Sequence, residues 1–462
     1  MSVSANLASF AASIDPAKLP PELVARTRLL VLDLVGNGVR ARLEAESTPP
    51  LLAAVAALGL GAGKARVFAD PQGYAPAGAA LVNGSLAHSL DFDDTHAAAV
   101  LHPGATVIPA ALAAADMAGA SGAETLAGIV AGYEVALRLA LALPAGAHYD
   151  RGFHPTATCG AFGAAAAAGR VFRLDEGKIA SALGVALSQA SGSLQFLANG
   201  AWTKRFQVGW ASMAGLVAAT LAREGYKGAA EPLEGKHGFL RAYAPQPEPE
   251  RALRGLGREW ELMATAVKPY PSCRWGHAAI DAALALRAEH RLEPGEIEGA
   301  TLGLSRAGML LIGEPAAKKS DPRNIVDAQF SGPFVVATAL TTGAMAWDSY
   351  RLLDDARLRA LMGQITCEND PEIEADFPAH MSGKLTLRAR GRVFTRKTLD
   401  PKGEASNFLT ETELRVKFAG LANAVIGEAP AERLAETVLR LDRLENAGAV
   451  LAASLPERVA AS

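Results

Sequence analysis

The feature that most constrains the fold is a series of amphipathic segments built largely from alanine, glycine and leucine. In residues 21–39, apolar side chains recur every three or four positions after a proline start, which is the period of a helix with one buried face. The same pattern returns in four later segments, namely 104–119, 122–142, 161–170 and 210–225. Alanine and glycine lie where neighbouring helices would approach closely. The segments share no fixed repeat, so a compact helical bundle is predicted and a solenoid is not.

The texture of the sequence changes near residue 245, where AYAPQPEPE places three prolines within nine residues. Beyond it, residues 298–305 and 384–396 alternate apolar with polar side chains. The second of these segments predicts an antiparallel hairpin around Gly391. Helical patterns cover 276–289 and 325–343, so this part of the chain predicts an α+β arrangement.

Two amphipathic segments, 409–422 and 430–446, follow the predicted hairpin, and the first opens with a Thr-x-x-Glu pattern that is typical of a helix cap. We therefore predict a mainly α protein with two domains. The large all-helical domain covers residues 1–265 and is completed by C-terminal helices within 405–462. The smaller α+β domain covers residues 266–404.

Composition argues against several classes of protein. The 462 residues carry 45 Lys+Arg against 48 Asp+Glu, a formal net charge of −3, with the basic residues scattered, so we expect neither nucleic acid nor a membrane as partner. The cysteines are Cys159, Cys273 and Cys367, with no CxxC pair. A disulfide framework is therefore not expected, and a cytoplasmic setting fits best. The N-terminus has no signal-peptide pattern and no apolar window reaches bilayer length, so a soluble protein is predicted.

The densest polar cluster lies in HSLDFDDTHAAAVLHPGA, residues 88–105. Its members are Asp91, Asp93, Asp94, Thr95, His96 and His102. Carboxylates beside imidazoles suit proton transfer, because an acid can orient an imidazole and tune its basicity. They also suit metal binding, but Ala97 stands where a third acid would complete a DDxxD motif, so no metal is predicted. The structural alternative is an aspartate that caps a helix, with histidines facing solvent.

Three further segments are rich in polar groups. The loop at 148–160 precedes an alanine-rich helix, and it contains His148, Tyr149, Arg151, His154 and Thr156. Helix N-termini attract anions and Arg151 can add a forked donor for a carboxylate, although a purely structural polar loop is the alternative. Lys204 lies among aromatic residues, either as a solvated cation on an apolar stem or as a desolvated functional amine. The stiff segment KPYPSCRWGH contains Lys268, Tyr270, Cys273, Arg274 and His277.

Several common catalytic signatures are absent from the sequence. It contains no GxxxxGK[ST], no GxGxxG between a strand and a helix, no GxSxG and no HExxH. Nucleotide-binding, serine-hydrolase and zinc-protease interpretations therefore have no support. Acid–base chemistry without a cofactor is the interpretation that is left.

Six motifs in order resemble the MmgE/PrpD family: DFDDTH with the following HPGA, GFHPTATCGAFGAA, SQASG, TKRFQVGWA, KPYPSCRWGHAAIDA and AQFSGPF. The resemblance runs from about residue 5 to about residue 445. Members of this family include 2-methylcitrate dehydratase, cis-aconitate decarboxylase and iminodisuccinate epimerase. The resemblance implies a large all-helical domain, a smaller α+β lid domain inserted into it, a homodimer and no cofactor.

The resemblance also implies a catalytic set, which is Asp91, Thr95, His102, Tyr149, His154, Lys204 and Lys268. Tyr149 matches a tyrosine that the epimerase branch is thought to use opposite Lys268, and Arg274 fits a carboxylate anchor. Arg151 and His96 complete the predicted substrate-binding residues. The chain departs from the family pattern at Gln207 and Val208, where many relatives read histidine and proline. The decarboxylase's tyrosine beyond residue 310 has no counterpart either, which disfavours decarboxylation.

The three reactions of the family share the movement of a proton at a carbon next to a carboxylate, and without a metal the anion must be stabilised by cations and hydroxyls. A lysine serves as a base only if burial or neighbouring cations disfavour its charged form. We expect a lyase, specifically a dehydratase of a small hydroxy-polycarboxylate. The alternatives are an epimerase or isomerase that uses Tyr149 and Lys268, a decarboxylase, and a catalytically silent polycarboxylate-binding homodimer.

Overall fold

The computed structural model describes residues 2–456. Its helices, in chain order, are α1 (Val3–Ser13), α2 (Pro21–Glu44), α3 (Thr48–Ala57), α4 (Pro76–Ala87), α5 (Gly104–Ala118), α6 (Gly122–Leu141), α7 (Ala145–Asp150), α8 (Pro155–Val171), α9 (Glu176–Leu187), α10 (Thr203–Arg223), α11 (Phe239–Tyr243), α12 (His277–His290), α13 (Arg306–Gly308), α14 (Ala316–Lys319), α15 (Ile325–Gln329), α16 (Gly332–Thr342), α17 (Ala356–Met362), α18 (Pro371–Asp376), α19 (Glu411–Ile426), α20 (Glu428–Leu439) and α21 (Gly448–Ala453). Its strands are β1 (Ala65–Val67), β2 (Asp70–Tyr74), β3 (Thr95–His96), β4 (Thr265–Ala266), β5 (Ile297–Leu304), β6 (Ile365–Asn369), β7 (Gly383–Ala389) and β8 (Arg392–Thr398). Most of the described chain is helical, and the predicted mainly α class is confirmed.

The chain divides into two compact units. The first comprises the residues up to Ala266 together with the segment from Glu411 onward, and the second comprises Val267–Thr410. Residues 457–462, which the predicted C-terminal helices include, lie outside the described residues. Within the described part of the chain, every helix is too short or too polar to cross a bilayer.

The first unit is a helical bundle in which small residues allow close contacts. Helix α8 packs against α6 and α10, and α10 also packs against α4. A Cβ atom on Gly132 of α6 would lie 2.7 Å from the carbonyl oxygen of Gly163 on α8. A Cβ atom on Gly209 of α10 would lie 2.3 Å from the carbonyl oxygen of Leu81 on α4. Glycine at 209 therefore brings the beginning of α10 close to the end of α4, where the polar cluster begins.

Helix α19, from the C-terminal segment, packs against α2 in the first unit. Lys417 of α19 forms an ion pair with Asp33 of α2, and their side chains are only 5% and 0% exposed. The same ammonium donates a hydrogen bond of 2.8 Å to the carbonyl oxygen of Phe92 and lies 3.7 Å from the centroid of the Phe92 ring. Asn37 of α2 donates a second hydrogen bond to that oxygen, at 3.2 Å. The loop that carries the aspartate cluster is therefore held by α2 and α19 together.

The second unit contains a four-stranded sheet in the order β6-β5-β7-β8. Strand β5 is parallel to β6 and antiparallel to β7, and β7 and β8 form the hairpin predicted around Gly391, whose φ is 63°. The helical pattern over 325–343 is observed as two helices, α15 and α16. Ser331 caps the second through the Phe334 N–H, and Pro333 lies in its first turn, where proline favours a new helix start.

Candidate active site

The loop that follows α4 brings two histidines to one aspartate. His88 Nδ1 lies 2.8 Å from Asp93 Oδ2, and both side chains are fully buried. The same carboxylate oxygen lies 3.5 Å from Nδ1 of His102, just before α5. The ring centroids of His88 and His102 are 4.9 Å apart. One buried carboxylate therefore faces two adjacent imidazoles and can stabilise a positive charge on either.

The hydrogen bonds of His102 determine which of its ring nitrogens carries a proton. Its Nδ1 lies 2.7 Å from the backbone carbonyl oxygen of Asp94, and a carbonyl oxygen only accepts. Nδ1 is therefore the donor, and Nε2 of the neutral ring presents a lone pair. The backbone N–H of His102 donates to Thr156 Oγ1 at 3.1 Å. His102 is thus held in the tautomer that a general base requires.

His154 lies at the N-cap of α8 and is only 3% exposed. Its ring centroid is 6.1 Å from that of His88 and 5.5 Å from that of Phe196. Its Nδ1 lies 2.8 Å from Nε2 of Gln207. Burial lowers the pKa of His154 well below its usual value, and the nearby imidazoles and the Lys204 ammonium lower this pKa further. His154 is therefore neutral at physiological pH.

Lys204, the second residue of α10, forms an ion pair with Asp91, with Nζ 2.8 Å from Oδ1. Asp91 has a left-handed backbone with φ of 54°, which is uncommon for a residue with a side chain. Burial alone would lower the pKa of Lys204, but the Asp91 carboxylate outweighs burial and the net pKa is raised. Lys204 is therefore an ammonium at neutral pH. This charge state suits the stabilisation of an anion and argues against Lys204 as a base.

Tyr149 of α7 lies within electrostatic range of this ion pair and is 38% exposed. Burial raises the pKa of its phenol, the Lys204 ammonium lowers that pKa, and the Asp91 carboxylate raises it, with a net rise. The phenol is protonated at neutral pH. Tyr149 is therefore a candidate proton donor.

Asp94 has a structural role. Its Oδ2 accepts from the Tyr133 hydroxyl at 2.6 Å, and its Oδ1 accepts from the N–H of Gly104, the first residue of α5, at 3.1 Å. A Cβ atom on Gly104 would lie 2.6 Å from the Tyr133 hydroxyl oxygen, so glycine is required for this approach. Burial raises the pKa of Asp94 to about 8, although the hydrogen bond from Tyr133 lowers it. The helix-capping alternative therefore describes Asp94 well.

Thr95 and His96 form the short strand β3. Thr95 pairs with Ala266 of β4. His96 is buried, its Nδ1 accepts from the Ala99 N–H at 3.1 Å, and its Nε2 lies 3.6 Å from Glu261. The side chain of His96 therefore stabilises its own turn through Ala99 and connects this turn to Glu261.

The last three predicted site residues are Arg151, Arg274 and Lys268. Arg151 is exposed, and its guanidinium lies 3.4 Å from the Ala242 carbonyl oxygen. In the second unit, Arg274 pairs with both carboxylate oxygens of Glu404, and its Nε lies 2.6 Å from Oε1. A carboxylate of the protein therefore already occupies the guanidinium that was predicted to anchor substrate. Lys268, also in the second unit, is buried, and its catalytic role stays a prediction.

Sequence reasoning did not single out His88 and saw Gln207 only as a departure from the family. His88 begins the polar segment, and its place three residues before Asp91 was the available signal. Its Nε2 is buried, with no hydrogen-bond partner in the described part of the chain, and a buried polar atom in this state calls for an explanation. Gln207 follows Lys204 by three residues, which places both on one face of α10. Nothing local marks Lys417, because its partners are distant in sequence.

His88, Asp93 and His102 are also the group whose spacing could hold a metal ion, among residues 2–456. One ligand atom from each lies within 4.8 Å of the others. The Nδ1 atoms of both histidines already take part in hydrogen bonds, which suits a proton-carrying network. Metal independence stays a prediction.

Comparison with known proteins places the chain in a family. Residues 5–252 match the MmgE/PrpD N-terminal domain, and residues 270–443 match the MmgE/PrpD C-terminal domain. The cis-aconitate decarboxylase-like protein oryM of Aspergillus oryzae is 28% identical over 97% of this chain and 96% of its own length. Cis-aconitate decarboxylase of Aspergillus terreus is 25% identical over 97% and 95%, and that of Mus musculus is 28% identical over 80% and 77%. Since the two domain matches cover well over half of the sequence, the chain belongs to the MmgE/PrpD family.

Proposed function

We propose that this protein is a cofactor-independent lyase that acts next to a carboxylate of a small polycarboxylate. The observation that carries the proposal is the Lys204 ammonium near neutral His154 and the oriented His102. This combination offers a cation for a developing anion and a lone pair for a proton. The relatives are named cis-aconitate decarboxylase or cis-aconitate decarboxylase-like protein, and these names support a substrate of this class.

In this proposal His102 is the general base. Its Nε2 has the lone pair, because Nδ1 donates to a backbone carbonyl. When His102 takes a proton, the nearby Asp93 carboxylate stabilises the imidazolium. His88, whose Nδ1 lies 2.8 Å from the same carboxylate oxygen, keeps it oriented. A positioned base of this kind contributes roughly 10²–10⁴-fold to the rate.

Lys204 stabilises the anion that forms when the proton leaves. Asp91 keeps its side chain charged and in place through the 2.8 Å ion pair. A preorganised cation in a partly buried site is worth roughly 10²–10³-fold, which is comparable to one donor of an oxyanion hole. Tyr149, near the same ion pair, is the proposed acid for a leaving hydroxyl group.

Dehydration is the specific reaction that we propose first. The base removes a proton next to the carboxylate, the acid protonates the leaving hydroxyl, and the products are an alkene and water. Decarboxylation is the second candidate, because the relatives bear that name. It requires no base: the carbon–carboxylate bond breaks, carbon dioxide leaves, and the carbanion takes a proton from an acid. The same cation serves both reactions.

Incubation with a panel of hydroxy- and unsaturated di- and tricarboxylates in deuterated water tests the proposal. Dehydration should give ultraviolet absorbance of a new alkene without gas release. Decarboxylation should release carbon dioxide and place one deuteron in the product. Deuterium at a stereocentre without either change would favour the epimerase alternative. If the folded protein turns over none of the panel, the lyase proposal is wrong.

The same proposal includes a cytoplasmic homodimer that works without a cofactor, as the family resemblance implies. It includes neither nucleic acid nor a membrane among the partners. Light scattering of the purified protein measures the oligomeric state, and a monomeric mass at working concentration would contradict the dimer.

A further inference from the structure

Gln207 connects His154 to the backbone of Ser193. Its Oε1 accepts from the Ser193 N–H at 2.9 Å, and its Nε2 donates to the Ser193 carbonyl oxygen at 3.3 Å. A backbone N–H only donates and a carbonyl oxygen only accepts, so these two bonds identify the oxygen and the nitrogen of the amide. The third bond, 2.8 Å from Nε2 to His154 Nδ1, therefore has its donor on the glutamine.

Since Nδ1 of His154 accepts, the single proton of the neutral ring is on Nε2. In the described part of the chain, no group hydrogen-bonds to this Nε2–H. His154 therefore has the opposite arrangement to His102, whose Nδ1 donates to a carbonyl oxygen. One imidazole presents a donor and the other presents a lone pair.

We infer that Gln207 is a positioning residue that fixes His154 as an Nε2–H donor to a carboxylate oxygen of the substrate. The part about substrate rests on the proposed function, whereas the position of the proton does not. Four ionisable groups lie around His154, and they are His88, His102, Lys204 and Asp91. Only Asp91 favours the charged ring, while burial and the other three groups favour the neutral ring. The His154 ring is therefore neutral at neutral pH, where Lys204 is charged.

The position of the proton can be measured in the full-length, substrate-free protein. With ¹⁵N-labelled histidine, NMR distinguishes a protonated ring nitrogen from one with a lone pair, and His154→Asn identifies the signals of this residue. We expect a lone pair on Nδ1 and a proton on Nε2. Gln207→Glu replaces the donor with an acceptor of nearly the same shape, so the proton should move to Nδ1. Gln207→Met removes the donor without adding an acceptor and should give both tautomers.

A matched control is available in the neighbouring 3₁₀ segment Leu194–Ala198. Gln195 of this segment is exposed, and Gln195→Glu adds the same charge without changing the contact to His154. This control should leave the His154 signals and the activity as in the wild type. A proton on Nδ1 of the wild-type ring, or an Nδ1 that stays unprotonated in folded Gln207→Glu, would overturn the inference.

Kinetics then separate this inference from the proposed function. In Gln207→Glu we expect kcat/KM to fall roughly 10-fold to 100-fold, with an altered pH profile, because the donor to substrate is lost. Wild-type activity in Gln207→Glu with a displaced proton would overturn the role toward substrate. Wild-type protein that has the expected tautomer but no lyase activity would refute the proposed function and support the assignment of Gln207 as a positioning residue.

Discussion

Replacement of Asp94 with asparagine should flatten the pH dependence of stability of the first unit. The Asp94 carboxyl has an ordinary pKa of 3.8, and burial raises this pKa to about 8 in the folded protein. Between these values the folded state keeps a proton that the unfolded state releases. Stability therefore falls as the pH rises from about 4 to about 8, because ionisation lowers the free energy of the unfolded chain alone.

The size of the effect follows from the two pKa values. One pKa unit corresponds to about 1.4 kcal/mol. Between pH 5 and pH 8, the unfolded carboxyl completes its ionisation while the folded one reaches half, which lowers the free energy of unfolding by about 3.5 kcal/mol. Asparagine has nearly the same shape and keeps an acceptor for the Gly104 N–H. Its NH₂ group can donate to the Tyr133 oxygen in place of the bond that Asp94 accepts from the Tyr133 hydroxyl. The pH-dependent part should therefore disappear while the contacts remain.

Thermal unfolding of both proteins, followed by circular dichroism from pH 5 to pH 8, measures the difference. The midpoint of the wild type should fall by roughly 5–10 °C more than that of Asp94→Asn. Asp354→Asn makes the same change on a side chain that is 94% exposed, and it should follow the wild type. Parallel pH profiles for the wild type and Asp94→Asn would refute the raised pKa of Asp94.

Three further predictions concern the site and its support. Lys204→Met should lower kcat by roughly 10²-fold, because the anionic intermediate loses the cation that stabilises it. Lys227→Met makes the same change at an exposed lysine and is the control. A loss of kcat below about threefold in Lys204→Met would remove Lys204 from the mechanism. Exhaustive dialysis against EDTA should leave activity unchanged, whereas loss and recovery with magnesium or zinc would make His88, Asp93 and His102 a ligand set. Lys417→Met should cost about 3–5 kcal/mol in urea unfolding, because the Asp33 carboxylate stays buried without that ammonium. A second change, Asp33→Asn, should restore part of this loss, and equal destabilisation of the single and double variants would contradict the ion pair.

Local signals in the sequence were sufficient to predict many of the helices of the first unit. Helices predicted over 104–119 and 122–142 are observed as Gly104–Ala118 and Gly122–Leu141. They were predictable because the residues that stop or cap each helix lie next to its ends in the sequence. Gly119 ends the first with a left-handed backbone, and Ser121 caps the second. Strand β6 was not predicted, since its five residues are mostly exposed and its partner β5 is more than 60 residues away. Pairing of that kind leaves no periodic trace in the sequence.

In the candidate site too, features encoded by neighbouring residues were predictable and contacts between distant residues were not. The cluster around Asp91 was predictable because its polar residues are contiguous in an apolar region. Its pairings were not predictable, since neither the pairing of Lys204 with Asp91 nor the approach of His102 to Asp93 follows from spacing. The charge state of Lys204 depends on the Asp91 carboxylate beside it. Whether Lys204 acts as a base or as a cation therefore could not be decided without the three-dimensional contacts.

The hydrogen bond from Lys417 to Phe92 spans 325 residues of chain. At roughly 5–20 residues per second, a ribosome needs on the order of 15–65 seconds to make that stretch. The second unit, Val267–Thr410, is synthesised entirely within this interval. A nascent chain that stops before α19 carries every predicted catalytic residue but lacks the ammonium that holds the aspartate loop. Completion of the site is therefore tied to completion of the chain, and translation that terminates early should yield protein without activity.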